Sequence, residues 1–320
     1  MRRIDAPTID DVRAARARLT GTALRTPLVR LNVDGPAQIY LKLENLQPIG
    51  SFKLRGAVNA IRSIPRDELA NGVYTASAGN MAQGVAWGAR ELGVACTVVM
   101  PETAPRTKVD AVTRLGARIV FLPYDEWWQT LVAHGRDDIP GVFIHPVADH
   151  AVMAGNGTIG LEIVEDLPDV GAVLVPFGGG GLVSGIAAAM HALAPAAAVY
   201  GCEVATSTPL TAALAAGQPV VVERTPSFVD GIGGRGLLPE MWPIVRGLVA
   251  GALVAPLNEV ASAVRLLVER ARVVAEGAGA TPVACALGGS EATRRHGKVV
   301  CVVSGGNIDT RILIDVLTSP

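Results

Sequence analysis

Short apolar runs rich in β-branched residues alternate with helix-patterned stretches along almost the whole chain, and this alternation narrows what it can fold into. QIYLKLE (38–44), GVYTASA (72–78), ACTVVMP (95–101), ARIVFLP (117–123), VGAVLVP (170–176), AVYGCE (198–203) and KVVCVVSGG (298–306) read as strands, the second and last running into loops. Between them NMAQGVAWGARELG (80–93), RTKVDAVTRLG (106–116) and LVSGIAAAMHALAP (182–195) carry helical patterns. Strands apolar on both faces and separated by helices predict an α/β fold, with parallel or mixed sheets covered by helices. Residues 71–145 contain their own strand–helix series and are expected to form a small domain inserted into a large one, made of 1–70 and 146–320. In such folds ligands bind beyond the carboxyl ends of the strands.

Composition excludes several classes of partner. A net charge of −1, with both signs mixed along the chain, gives no electrostatic case for nucleic acid. No apolar run reaches membrane-spanning length, and the charged, amphipathic N-terminal stretch lacks the apolar core of a signal peptide. Cys96, Cys202, Cys285 and Cys301 are far apart with no C-x-x-C pair, so free thiols are expected and neither disulfides nor a metal site. A soluble, cytoplasmic protein acting on a small molecule is the expectation.

Two loops can carry chemistry. In QPIGSFKLRGA (47–57), Lys53 stands between an aromatic and an apolar residue. A lysine is ordinarily a solvated surface residue, but one held partly out of water is neutral and nucleophilic, fit to form a Schiff base. In VLVPFGGGGLVSGIAAAM, an apolar strand ends at Pro176 and the four glycines Gly178, Gly179, Gly180 and Gly181 lead straight into a helix. Backbone N–H groups crowded at a helix N-terminus suit an anion, and the lack of G-K-[ST] excludes a nucleotide P-loop. GIGGRG (231–236) formally satisfies G-x-G-x-x-G, but no clean strand precedes it and no helix start follows, so a tight turn beside a ligand fits better than a dinucleotide site.

A phosphate cradle together with a Schiff-base lysine is what pyridoxal phosphate requires. GSFKLRGA, TASAGNMAQGVAWGARELGV, MPETAPRTKVDAV, GNGTIGLEI, PFGGGGLVSGI, AEGAGA and VVSGGNID occur in the order found in fold-type II pyridoxal-phosphate enzymes. From about Thr26 to Asp309 the chain resembles their threonine/serine dehydratase and serine racemase branch. The resemblance implies that Lys53 binds the cofactor covalently and later removes the substrate α-proton. It implies that Phe52 packs by the cofactor ring, Asn80 bonds the ring hydroxyl, and Gly178 to Gly181 with Leu182 hold the phosphate. The resemblance also places Gly231 along the ring's side and Glu276 near its edge, with a structural salt bridge as the alternative for Glu276. Ser304 resembles the serine opposite the pyridine nitrogen; a hydroxyl there would leave the ring a weaker electron sink than a carboxylate would, which suits elimination. Ser77, Ala78, Gly79, Asn80 and Met81 resemble the loop that grips the substrate carboxylate, and Gly234 falls in a turn that offers relatives a substrate-binding serine.

Several positions depart from the pattern. Relatives commonly read SAGNHAQG where this chain has Met81 in place of the histidine. Racemases carry, at the position of Ala78, a serine that protonates the far face of Cα; alanine cannot. Glu203 matches one acid of a cation site in some relatives, but VATSTPL supplies no second acid, so no bound metal is expected. The chain extends little past the last motif, so no C-terminal regulatory domain is expected. Loss of a polar contact at Met81 and Gly234 points to a roomier, more apolar site. The implied reaction is loss of water from a 3-hydroxy amino acid (threonine, serine or a bulkier one such as phenylserine), giving a 2-oxo acid and ammonia in a homodimeric or larger enzyme. β-Replacement, racemisation and a non-catalytic ligand-binding protein of the same fold are the alternatives.

Overall fold

A computed structural model describes residues 3–35 and 37–318. Ten strands form two sheets: β1 (Leu28–Arg30), β2 (Gln38–Lys42), β3 (Val73–Ala76), β4 (Cys96–Pro101), β5 (Arg118–Leu122), β6 (Val142–Phe143), β7 (Ala172–Pro176), β8 (Ala198–Val204), β9 (Gly251–Ala255) and β10 (Lys298–Val302). The larger sheet has the order β1-β2-β10-β7-β8-β9, the smaller β5-β4-β3-β6. All neighbours pair in parallel except β1, which runs antiparallel to β2.

Alternation along the strands of the larger sheet divides its core in two. Leu41, Leu174, Cys202, Val299 and Cys301 face one way, against the helices Leu257–Leu266 and Gly277–Leu287. Val173, Val175, Val199, Val300 and Val302 face the other, against Ile159 and Ile163 of the helix His150–Asp166 and Val183, Ile186 and Met190 of the helix Gly181–Leu193. Both faces being covered explains why these strands read as continuous apolar runs. The helix Asn80–Leu92 ends on Gly93 in the left-handed conformation, as its terminal glycine predicts.

The chain enters the functional region from the carboxyl ends of β3, β7 and β10, where Ser77, Phe177 and Val303 continue into loops. GIGGRG has neither a strand immediately before it nor a helix opening on it, and only a three-residue helical turn, Pro239–Met241, follows nearby. The dinucleotide pattern is therefore a coincidence of glycines. All four cysteines are free thiols, three of them fully buried. Among the described residues no helix is long and apolar enough to cross a membrane.

Candidate active site

Lys53 is the first residue of the helix Lys53–Ser63. The segment before it is held under the end of β10: Ser51 bridges to Gly305, and the Phe52 N–H donates to the Ser304 carbonyl at 2.9 Å. The side chain is half-buried, with Nζ 5.2 Å from the centre of the Phe52 ring and donating to the Pro146 carbonyl at 2.7 Å. Among the described residues it makes no ion pair, and burial lowers its pKa from 10.5 to about 8. Desolvation without a counter-charge favours the neutral amine, so this is not an ordinary surface lysine.

Two turns of backbone present unused N–H groups to the same space. After β3, Ser77 donates its N–H to the Val99 carbonyl at 3.0 Å, and its Oγ accepts from the Gly79 N–H at 3.1 Å. This folds the loop so that the next helix opens at Asn80. Among the described residues the N–H groups of Ala78, Asn80 and Met81 find no protein acceptor. After β7 the same holds for Gly178 through Leu182, at the start of the helix Gly181–Leu193. Gly180 has φ +99°, which disfavours any side chain, and a Cβ on Gly181 would lie 2.9 Å from the Val147 carbonyl oxygen. Orphan amides at a helix N-terminus are an anion site.

Glu276, at the N-cap of the helix Gly277–Leu287, is 6% exposed and accepts from Asn80 Nδ2 at 2.9 Å. Asn80 Oδ1 in turn accepts from Asn307 Nδ2 at 2.8 Å, and the same amide reaches the Ile49 carbonyl at 2.9 Å. Burial, and then the nearby Asp230 charge, raise the Glu276 pKa to about 7. Gly231 lies beside this carboxyl, where a Cβ would come within 3.3 Å of Glu276 Oε1.

These groups line one cavity of about 400 Å³. It brings together every site residue expected above except Gly234, whose carbonyl instead accepts from Ser207 Oγ at 2.8 Å in a turn outside the lining. Met81 borders the cavity but is 1% exposed and packed among Val85, Ile144 and Val152, so most of its side chain is core. Glu203 is buried and occupied by the N-terminus of the helix Pro209–Ala216, accepting from the N–H groups of Leu210 and Thr211 at 2.6 and 2.9 Å. Tyr124, Trp127 and Asp230, which lie outside the motifs, also line the cavity, as do Gln83, Thr103 and Lys108, which lie within motifs but carry no assigned role.

A carbonyl cofactor bearing a phosphate fits this constellation: a desolvated amine to bind the carbonyl carbon, and five orphan amides, four of them on glycines. The arrangement therefore defines an enzyme site built around such a cofactor. The chain belongs to the pyridoxal-phosphate dependent enzyme family, whose model matches residues 19–305. It is 45% identical over 277 residues to the L-threonine ammonia-lyase of Geobacter sulfurreducens, covering 86% of this chain and 68% of that protein. The L-threonine ammonia-lyase of Thermotoga maritima is 40% identical over 311 residues, 96% of this chain and 77% of that one. Among solved structures, maize serine racemase superposes with a TM-score of 0.91 at 31% identity, covering 97% of each chain. Fold, family and cofactor thus agree with the expectation from the motifs.

Proposed function

We propose that this protein is a carbon–nitrogen lyase that eliminates water from a 3-hydroxy amino acid, releasing a 2-oxo acid and ammonia. The observation that carries this reading is Lys53: a half-buried amine with a lowered pKa, in one cavity with two separate sets of orphan amides. The similarity to threonine ammonia-lyases over most of the chain supports the choice of reaction.

When bound, pyridoxal phosphate supplies an electron sink that makes the substrate Cα–H bond acidic. The amides of Gly178 to Leu182 would hold its phosphate and Lys53 its carbonyl carbon. The amides of Ala78, Asn80 and Met81 would bind the substrate carboxylate, orienting Cα. Lys53, its amine free once substrate is bound, would have the pKa of a base effective near neutrality and would accept the α-proton. The β-hydroxyl would leave as water, taking up one proton for the one that Lys53 removes, and the released enamine would tautomerise and be hydrolysed by water to 2-oxo acid and ammonia. Asn80, held from both sides by Glu276 and Asn307, would bond the ring hydroxyl; Phe52 and Gly231 would border the ring, and Ser304 its nitrogen. The two sheets support a division into a large unit, 1–70 with 146–320, and a small one, 71–145.

The test is a substrate panel of L-threonine, L-serine and L-threo-phenylserine, scored for ammonia and 2-oxo acid. Stoichiometric release of both is expected. Cofactor-loaded protein that releases neither from any of the three refutes the reading. Bulkier substrates remain part of it, but Met81 and Gly234 do not provide the room: one is core and the other outside the cavity.

A further inference from the structure

One stretch of the cavity wall belongs to no motif and has no part in the chemistry above. Tyr124 and Trp127 lie one turn apart on the helix Tyr124–Val132, with ring centroids 5.5 Å apart and planes tilted by 44°. Both residues line the cavity, together with Pro101 and Thr103. Trp127 packs from behind against a cluster that includes Tyr74, Val99 and Leu131. Its indole N–H is buried and has no acceptor in the protein. A half-buried tryptophan ordinarily satisfies this donor, so no hydrogen bond accounts for the ring's placement. Tyr124 is 51% exposed, with the ring of Trp127 beside it.

The charges of the cavity sharpen the choice of what these rings could meet. Lys108 is tied to Asp230 in an ion pair. Asp230 and Lys108 thus balance each other, and Lys53 is committed to the reaction. A second carboxylate on a substrate would therefore meet no uncommitted cation among the lining residues, whereas an aromatic group would meet two aromatic residues.

We propose that Tyr124 and Trp127 form the subsite for the substrate's β-substituent, selecting aromatic and large apolar groups over small or acidic ones. The proposal rests on the amino-acid site described above and deepens it. Both rings are specificity-determining: they act on which substrate is held, not on the bonds that break.

The test uses ligands without a β-leaving group, so that it reads binding independently of elimination. Cofactor-loaded enzyme is titrated by calorimetry with L-alanine, L-phenylalanine and L-aspartate. L-Phenylalanine is expected to bind about tenfold more tightly than L-alanine, and L-aspartate no more tightly than L-alanine. In Trp127→Ala the preference for L-phenylalanine should fall to about twofold or less, with L-alanine affinity unchanged; Trp127→Phe should retain most of it. Tyr124→Ala, at a half-exposed position where folding is not at stake, should also lower it. A merely structural tryptophan would shift both ligands alike, and that result overturns the proposal. So does equal binding of L-phenylalanine and L-alanine by the wild type. Phenylalanine binding that depends on Trp127, in an enzyme that releases no ammonia from 3-hydroxy acids, would refute the proposed reaction and leave the subsite standing.

Discussion

Replacement of Arg55 by methionine should unfold the protein far more readily than its modest change in volume suggests. Arg55 lies two residues beyond Lys53 and is 2% exposed. Its guanidinium donates to both oxygens of Glu44 at 2.8 Å, to both oxygens of Glu162 at 2.7 and 2.9 Å, to Thr158 Oγ1 at 3.1 Å and to the Leu24 carbonyl at 2.9 Å. Lys42, also buried, holds Glu162 at 2.6 Å, so two cations and two carboxylates close a neutral cluster. Taking out Arg55 leaves two buried carboxylates to one cation, and breaking such a cluster costs about 3–5 kcal/mol. Glu162 keeps Lys42; Glu44 keeps only Thr26 Oγ1 and Gln47 Nε2 as direct partners. Burial pushes the Glu44 pKa up, but Arg55 outweighs it and holds the carboxyl below its usual 4.5. In the wild type, then, Glu44 contributes stability that is present above pH 4.5 and lost as pH falls further. In Arg55→Met the sign reverses. Burial dominates, the folded state holds the Glu44 proton to higher pH than the unfolded state, and stability falls as pH rises. The difference between the two proteins should therefore widen from pH 5 to pH 8 (on the order of 1 kcal/mol or more). Urea unfolding of the apoprotein, followed by tryptophan fluorescence at both pH values, measures it, and Arg55→Met/Glu44→Gln should recover part of the loss. A loss below about 1 kcal/mol, or one that does not change with pH, would refute the buried-charge reasoning.

Three further outcomes follow from the site. Glu276, raised to about 7, keeps its proton in the folded state where the unfolded state has lost it, so the apoprotein should lose stability as pH rises from 4.5 to about 7; Glu276→Gln should remove that slope, gaining about 3 kcal/mol over the wild type across the window in paired urea unfolding curves. Gly181→Ala places a Cβ 2.9 Å from the Val147 carbonyl oxygen and should weaken pyridoxal-phosphate affinity at least about tenfold, read by fluorescence titration; unchanged affinity would remove this loop from the cradle. Ala78→Ser restores a hydroxyl to the carboxylate loop and should raise D-serine formation from L-serine relative to pyruvate; rapid racemisation by the wild type would contradict the role given to the missing hydroxyl.

Much of this architecture was legible in local patterns. The apolar runs predicted β2, β7, β8 and β10 of the larger sheet because both of its faces are covered, though β9 was missed, and the glycine run located the orphan amides because a strand-to-helix turn is a local event. Short elements were not legible: β1 has three residues and β6 two, held by their neighbours more than by their own residues. The cluster around Arg55 was invisible because its partners lie far along the chain, Glu162 being 107 residues away. Tyr124 and Trp127 reach the cavity only through the packing of their helix on the smaller sheet. Gly234 shows the opposite failure. Its place three residues after Gly231 put it near the site in sequence, but the turn carries it out of the lining.

The central claim is that Lys53 is the residue that carries the cofactor and takes the α-proton. Borohydride reduction of the cofactor-loaded protein, followed by peptide mass mapping, tests it most directly. Cofactor mass on the peptide containing Lys53, and on no other, is the predicted result. Its appearance at another lysine, or at none, would contradict the assignment.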